Sequence, residues 1–216
     1  MTQFNAFEHV GDVYLRVIEQ GKLTTILRGL QLGEKTVVII DANNLICALE
    51  ARGIRIDYGK LKRIFDDRCD LISMHMCIAI TEGRPEQKKW LDVLREQYGY
   101  QIRSKYIRVY DDHSQKGNMD VEITIDAMKV HPSVEHVVLI TGDSDFIPLV
   151  TELRNQGRRV SVVGSLQGDA RYTSKELTYA ANHFYDLVDL IPHLGATKLK
   201  AITKVEDENI LPSDHH

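Results

Sequence analysis

Cysteine is scarce in this chain: Cys47, Cys69 and Cys77 are the only three in 216 residues, and no two form a CxxC pair. An odd set without paired spacing supplies neither a disulfide framework nor a zinc site. Cys47 sits in LICAL and Cys77 in MCIAI, so buried thiols in a reducing, cytoplasmic setting are the expectation. Long apolar runs are missing as well. VVII at 37–40 is typical, far short of the ~18 residues that a membrane span needs, so no membrane association is expected. The opening MTQFNAFEHVGDV has no basic n-region and no apolar h-region, which argues against a secretory signal. Positive charge is not in excess either, the net charge being −4. The surface as a whole is therefore no generic polyanion binder, and a nucleic acid would need a local basic patch or metal ions to hold it. No phosphate loop of the form GxxxxGK[ST] occurs, and there is no internal repeat.

What is present is ordinary globular composition, 43% hydrophobic and 27% charged. The length suits one domain of roughly 150 residues with extensions. Residues 1–35 read as an N-terminal helical extension. Phe7, Val10, Tyr14 and Val17 form one apolar stripe, and Leu23, Ile26, Leu27 and Leu30 form a second after Gly21. Such an arm either packs on the main domain or serves a homodimer or protein partner. Residues 192–216 form a polar C-terminal tail, and its last two histidines are poor grounds for a metal site.

Between them, over 36–191, short apolar strands alternate with helices. KTVVIID, LISMHMCIAI, IRSKYIRVY, EHVVLIT and RRVSVVG read as strands. NNLICALEAR, residues 57–67, RPEQKKWLDVLREQYG, KGNMDVEITIDAMKV, DFIPLVTELRNQ and TSKELTYAANH read as helices, the last with Thr173 and Glu176 at capping-box spacing. This order predicts an α/β fold, a three-layer α/β/α sandwich around a mostly parallel, Rossmann-like sheet.

In such a sheet ligands bind at the carboxyl ends of the strands. Asp41 ends VVIID, and Asp143 follows VVLIT by one glycine, with Asp145 two residues further on. No Lys or Arg lies within seven residues before Asp143 or eight after Asp145. At ~100° per residue, Val121, Ile125 and Met128 share a helical stripe expected to face the sheet. Asp120, Thr124 and Ala127 fall on one flank, Glu122 and Asp126 on the other, so Asp120 is the better candidate for the sheet edge. Carboxylates gathered at one place repel and need a cation to stay ionised. Hard oxygen donors without His or Cys suit Mg2+ or Mn2+. Each acid also has a bland role: Asp41 and Asp145 as helix caps, the latter before a helix starting at Phe146, and Asp120 as a surface acid favoured by the helix dipole.

Together VVIIDANNL, KGNMDVEITIDAM and VLITGDSDFIPLV followed by GRRVSVVG resemble the NYN domain family, a branch of the PIN-like nucleases that includes the LabA-like proteins. The resemblance covers roughly residues 36–190. It implies a PIN-like sandwich and Mg2+- or Mn2+-dependent cleavage of RNA, single-stranded or structured, leaving a 5′-phosphate and a 3′-hydroxyl. By position it implies Asp41, Asp120, Asp143 and Asp145 as the acidic, metal-ligating and catalytic set. Asn44 matches the family Asn three residues after the first acid and is a candidate for a water or phosphate contact. Asp126 also matches a family position, but its flank assigns it to structure. Asn182 stands where an acid is often found.

Lys116, Thr141 and Ser144 are further candidate phosphate contacts, Ser144 at a helix N-terminus. Arg84, Lys88, Lys89, Arg103, Lys105 and Arg108 are basic residues flanked by Tyr106 and Tyr110. Strand alternation keeps Arg103, Lys105 and Tyr106 from facing one side, so these charges read mainly as a solvated face. Two other functions compete with the nuclease: a regulatory or RNA-binding protein acting through partners, and a phosphohydrolase of small esters. The second lacks the Asp-x-Asp start after the first strand, where Asn43 stands.

Overall fold

The computed structural model describes residues 21–23, 25–109, 115–116, 118–166 and 173–199. The first apolar stripe of the arm and the end of the tail lie outside these residues.

The chain enters the sheet as β1 (Lys35–Asp41), whose seven residues are apolar on both faces between its ends. Asp41 then caps α1 (Ala42–Glu50), accepting a hydrogen bond from the backbone N–H of Asn44. A two-residue strand β2 (Ile54–Arg55) leads to α2 (Tyr58–Asp66), capped by Asp57. Strand β3 (Asp70–Ile80) is followed by α3 (Pro85–Tyr98), which starts on a proline and stops at Gly99 with φ 71°. Next come β4 (Gln101–Tyr106), the short strands β5 (Arg108–Val109) and β6 (Gln115–Lys116), and α4 (Asp120–Met128). Strand β7 (His136–Ile140) runs through a 3-10 turn (Ser144–Phe146) into α5 (Ile147–Asn155). The chain continues as β8 (Arg159–Gly164), α6 (Lys175–Ala180), β9 (His183–Asp186), α7 (Leu187–Leu190) and β10 (Thr197–Lys198).

Six strands form one sheet in the order β4-β3-β1-β7-β8-β9, and every pairing in it is parallel. The expected mostly parallel sheet is therefore parallel throughout. On one face Val38 and Ile40 pack with Leu45, Leu61, Phe65 and Leu94 from α1, α2 and α3. On the other, Val37 and Ile39 pack with Ile123, Leu149 and Leu177 from α4, α5 and α6. Two buried faces explain why the central strands carry unbroken apolar runs. The second stripe of the arm packs on the main domain: Leu27 is buried in the first of these cores, with Leu23, Ile26 and Leu30 against it. Cys69 and Cys77 are buried and Cys47 half-buried, all three free. No helix among the described residues is long and apolar enough to cross a membrane.

Four local expectations are corrected. Helix α4 turns the other way about its axis: Met119, Ile123 and Ala127 are buried, whereas Val121 and Ile125 are 62% and 43% exposed. Asp126 turns inward with them and takes a hydrogen bond from Arg103 Nε at 3.1 Å, a long-range tie that local periodicity does not contain. The stretch IRSKYIRVY is not one strand: β4 ends at Tyr106, its pairing with β3 closed by the bond from Ile107 N–H to Ile80 O at 2.8 Å, and β5 pairs instead with β6. Helix α6 is capped by Ser174 rather than Thr173, its hydroxyl accepting from Leu177 N–H. That helix stops at Ala180, and Asn182 bonds Val160 through both its backbone N–H (2.8 Å) and its side-chain oxygen (2.9 Å). These bonds draw the chain into the sheet as the sixth strand, so Asn182 is a sheet-joining residue.

Beneath the arm, His136 donates or accepts at both ring nitrogens, Nδ1 to Glu34 Oε2 at 3.1 Å and Nε2 to Ser161 Oγ at 2.8 Å. Arg159 Nε donates to the same Glu34 at 2.7 Å. The order Ser–His–Glu resembles a hydrolytic triad, but Ser161 and His136 are fully buried, so no substrate reaches them. The network instead satisfies polar groups where the arm meets the sheet. Burial, aided by Arg159 and opposed by Glu34, pushes the His136 pKa down to about 4. The folded chain thus keeps His136 neutral at pH values where the unfolded chain, near 6.5, protonates it, and stability falls as pH drops from 6.5 toward 4. His136→Gln removes this pH dependence. Urea unfolding should show wild type losing roughly 2 kcal/mol more than the variant between pH 7 and pH 4.5. Equal losses would mean that His136 titrates normally.

Candidate metal centre

The sheet reverses its direction of growth between β1 and β7, since the chain builds outward through β3 and β4 before returning to β7. Crevices of this kind, at the carboxyl ends of the strands, are where open parallel sheets bind ligands. Ile40 lies opposite Ile140 in the β1–β7 register, so the segments that follow, Asp41 and Thr141–Asp143, emerge side by side.

Asp41 is held at both oxygens. Oδ1 accepts from Asn44 N–H at 3.1 Å, and Oδ2 accepts from the Thr141 hydroxyl at 3.3 Å. Asn44 reaches across to β7, its Oδ1 accepting from Gly142 N–H at 2.9 Å. Asn43 does the same on the other side, its Oδ1 accepting from Ala79 N–H of β3 at 2.9 Å. The two adjacent asparagines therefore pin the first turn of α1 to both neighbours of β1. Asn44 and the buried Thr141 are committed to these bonds. From sequence Asn43 marked only the missing second acid of an Asp-x-Asp start, although a polar pair after an apolar strand was the available signal of this bridging role. Gly142 sits in close quarters, since a Cβ there would stand 3.1 Å from Thr173 Oγ1 and 3.4 Å from Asn44 Oδ1 and would press on both.

Beyond Gly142 the Thr141 hydroxyl accepts from Asp143 N–H at 3.2 Å, and Asp143 Oδ1 accepts from Asp145 N–H at 2.9 Å. Asp143 is thus the cap of the 3-10 turn, and buried Phe146 anchors that turn from below. Asp145 is not the cap expected from sequence: it lies inside the turn, and its carboxylate makes no hydrogen bond among the described residues. Helix α5 begins at Ile147, with Pro148 in its first turn. Asp120, the first residue of α4, bonds Asn118 through its carboxylate. Ser144 is exposed on the turn. Lys116 lies in β6 opposite Arg108, with its side chain outside the described part of the structure.

The tertiary fold brings ligand atoms of Asp120, Asp143 and Asp145 within 4.8 Å of one another. Asp41 is outside this triplet but close enough for the charges of Asp120 and Asp143 to act on it. Burial raises its pKa, the bonds from Asn44 and Thr141 oppose the rise, and Asp120 and Asp143 add to it. Asp120 is likewise raised, by burial first and then by Asp143 and Asp145, opposed by the hydrogen bond from Asn118 and then by the charge of Lys105. That lysine is engaged elsewhere, its Nζ 2.8 and 2.9 Å from the two oxygens of Glu122. Three converging carboxylates with so little cationic help form an all-oxygen donor set that fits a hard divalent cation.

A sequence model described as the NYN domain matches residues 35–190. The Low amplitude and bright protein LabA of Synechococcus elongatus is 27% identical over 172 residues, covering 76% of this chain and 89% of that protein. An uncharacterized protein of Methanocaldococcus jannaschii is 21% identical over 166 residues, covering 74% of this chain and 60% of its own length. Among solved structures, a protein of unknown function from Vibrio parahaemolyticus superposes with a TM-score of 0.61 at 29% identity, over 72% of this chain and 93% of that one. With the domain match spanning most of its length, the chain belongs to the NYN domain family of PIN-like nucleases.

Proposed function

We propose that the protein is a metal-dependent ribonuclease that hydrolyses RNA phosphodiester bonds, with Mg2+ or Mn2+ as cofactor. The observation that carries this reading is the 4.8 Å triplet Asp120, Asp143 and Asp145 at the sheet's switch point, backed by Asp41. The three acids of the triplet would hold the cation, with Asp41 contributing directly or through water. A bound cation of this kind neutralises charge on a phosphodiester and acidifies a coordinated water.

The chain's own residues supply the rest. Asn44 and Thr141 fix both Asp41 oxygens, so that this carboxylate needs no rearrangement during turnover. Asp145, exposed at the outer side of the triplet, completes the ligand set or orients the attacking water. Ser144, exposed on the same turn, faces solvent where a phosphate would approach.

Purified wild-type protein should cleave a labelled RNA with Mg2+ or Mn2+ and stop in EDTA. Asp120→Asn and Asp143→Asn should each slow cleavage by about 100-fold or more, as expected for losing a preorganised group at developing charge. Wild-type rates in the double variant, with contaminating nuclease excluded, would end this reading.

The raised pKa of Asp120 has a signature in the metal-free protein. Its folded form binds the proton more tightly than the unfolded chain, near 3.8, so stability falls as pH rises through the raised value. At neutral pH the cost of the buried charge, and of its repulsion by Asp143 and Asp145, is fully present. Asp120→Asn should therefore raise the melting temperature in EDTA. It should also erase most of the wild-type rise in Mn2+, roughly 5–10 °C at a hundredfold excess over Kd. A lower melting temperature in EDTA would show that the Asp120 charge does not cost stability, and an unchanged response to Mn2+ would show that the triplet does not share a cation.

A further inference from the structure

The basic residues that looked scattered in sequence are sorted by the sheet. Arg103 and Lys105 point to the α4 side, where Asp126 and Glu122 hold them in ion pairs. Ser104 and Tyr106 point to the other side and line an open groove of about 400 Å³ between β4 and α3. Arg84, Lys88 and Arg95 line its α3 wall. Asp92 is the sole carboxylate among the lining residues, and Arg95 Nη1 holds it at 3.0 Å. Arg84 and Lys88 are exposed and have no ion-pair partner among the described residues. Tyr106 is 65% exposed at the rim.

The groove opens at Ile80 and Thr81, the carboxyl end of β3, which is the edge that carries the acidic centre. In the sheet register Asp41 lies opposite Cys77, Cys77 opposite Arg103, and Ile80 opposite Tyr106. Tyr106 is thus two strands across and three residues beyond Asp41, about 10 Å in each direction. That separation is spanned by a few nucleotides of extended strand.

From this placement, which rests on the nuclease reading for its substrate class, we propose that the α3–β4 groove holds the single-stranded segment flanking the scissile bond. Tyr106 is the platform on which an unpaired base stacks, and Arg84 and Lys88 contact phosphates. Stacking on an exposed ring requires a base outside a duplex, which selects single-stranded nucleic acid over duplex RNA. Cations beside a solvent-open aromatic are the combination that holds single strands without sequence readout.

The test uses the full chain in EDTA, where no cleavage occurs, and fluorescence anisotropy of a labelled single-stranded RNA, the same sequence as DNA, and a duplex RNA. Tyr106→Ala should weaken single-strand binding by about 5- to 150-fold while Tyr106→Phe keeps it, because the ring and not the hydroxyl carries stacking. Arg84→Ala with Lys88→Ala should lower the slope of log affinity against log salt by about 1.4, roughly 0.7 for each lost contact on a single strand. Melting curves confirm that these surface variants fold. Affinity for the RNA over the DNA strand shows which of the two the groove takes. The groove assignment is overturned if Tyr106→Ala and the double variant both bind single strands within twofold of wild type, or if duplex binding depends on Tyr106 equally. Hydrolysis of bis(p-nitrophenyl) phosphate by wild type in Mn2+ tests the metal-centre reading separately, since that diester is too small to need the groove.

Discussion

Parallel pairing of β1 with β7 is the constraint from which the rest of this molecule follows. It places the ends of two strands about 100 residues apart in sequence side by side, and with them Asp41 and Asp143. Burial and, after it, the crowding of like charges both disfavour ionised carboxylates here, and together they raise the pKa values of Asp41 and Asp120. The arrangement persists because the surrounding bonds leave no easy escape. Asn44 ties α1 to Gly142, Asn43 ties it to β3, and the sheet beneath is buried on both faces. A rigid apolar base thus supports a polar edge under electrostatic strain, which a bound cation would relieve.

Charge is partitioned by the same sheet. On the α4 side, Arg103 and Lys105 are neutralised by Asp126 and Glu122, bonds that fix the rotation of the helix carrying Asp120. On the α3 side, Arg84 and Lys88 remain exposed beside Tyr106. A net charge of −4 therefore does not preclude local affinity for an anion, because what matters near an edge is which cations lack a carboxylate.

Much of the fold was legible in the sequence. The strands VVII and VVLI are apolar on both faces, and the Asp41 cap and the Pro85 start and Gly99 stop of α3 mark their helices, so the type and order of these elements followed from local chemistry. The phase of α4 was not legible, since Val121, Ile125 and Met128 make as good an apolar stripe as Met119, Ile123 and Ala127. Arg103, 23 residues away from Asp126, breaks the tie by drawing that acid inward. The end of α6 was missed for a similar reason. Asn182 answers to the backbone of Val160, a partner 22 residues distant, rather than to helical periodicity.

The sequence by itself determined the alternation of elements, the acids at two strand ends and the acid that opens a helix, because each depends on residues only a few positions apart. Tertiary structure alone decided which of those acids meet. It set Asp120, Asp143 and Asp145 within 4.8 Å, left Asp41 outside that triplet with both oxygens bonded, and made Asp143 rather than Asp145 the cap. The physical reason is that strand order and the satisfaction of buried polar groups are settled by contacts across the whole chain, which no local pattern encodes.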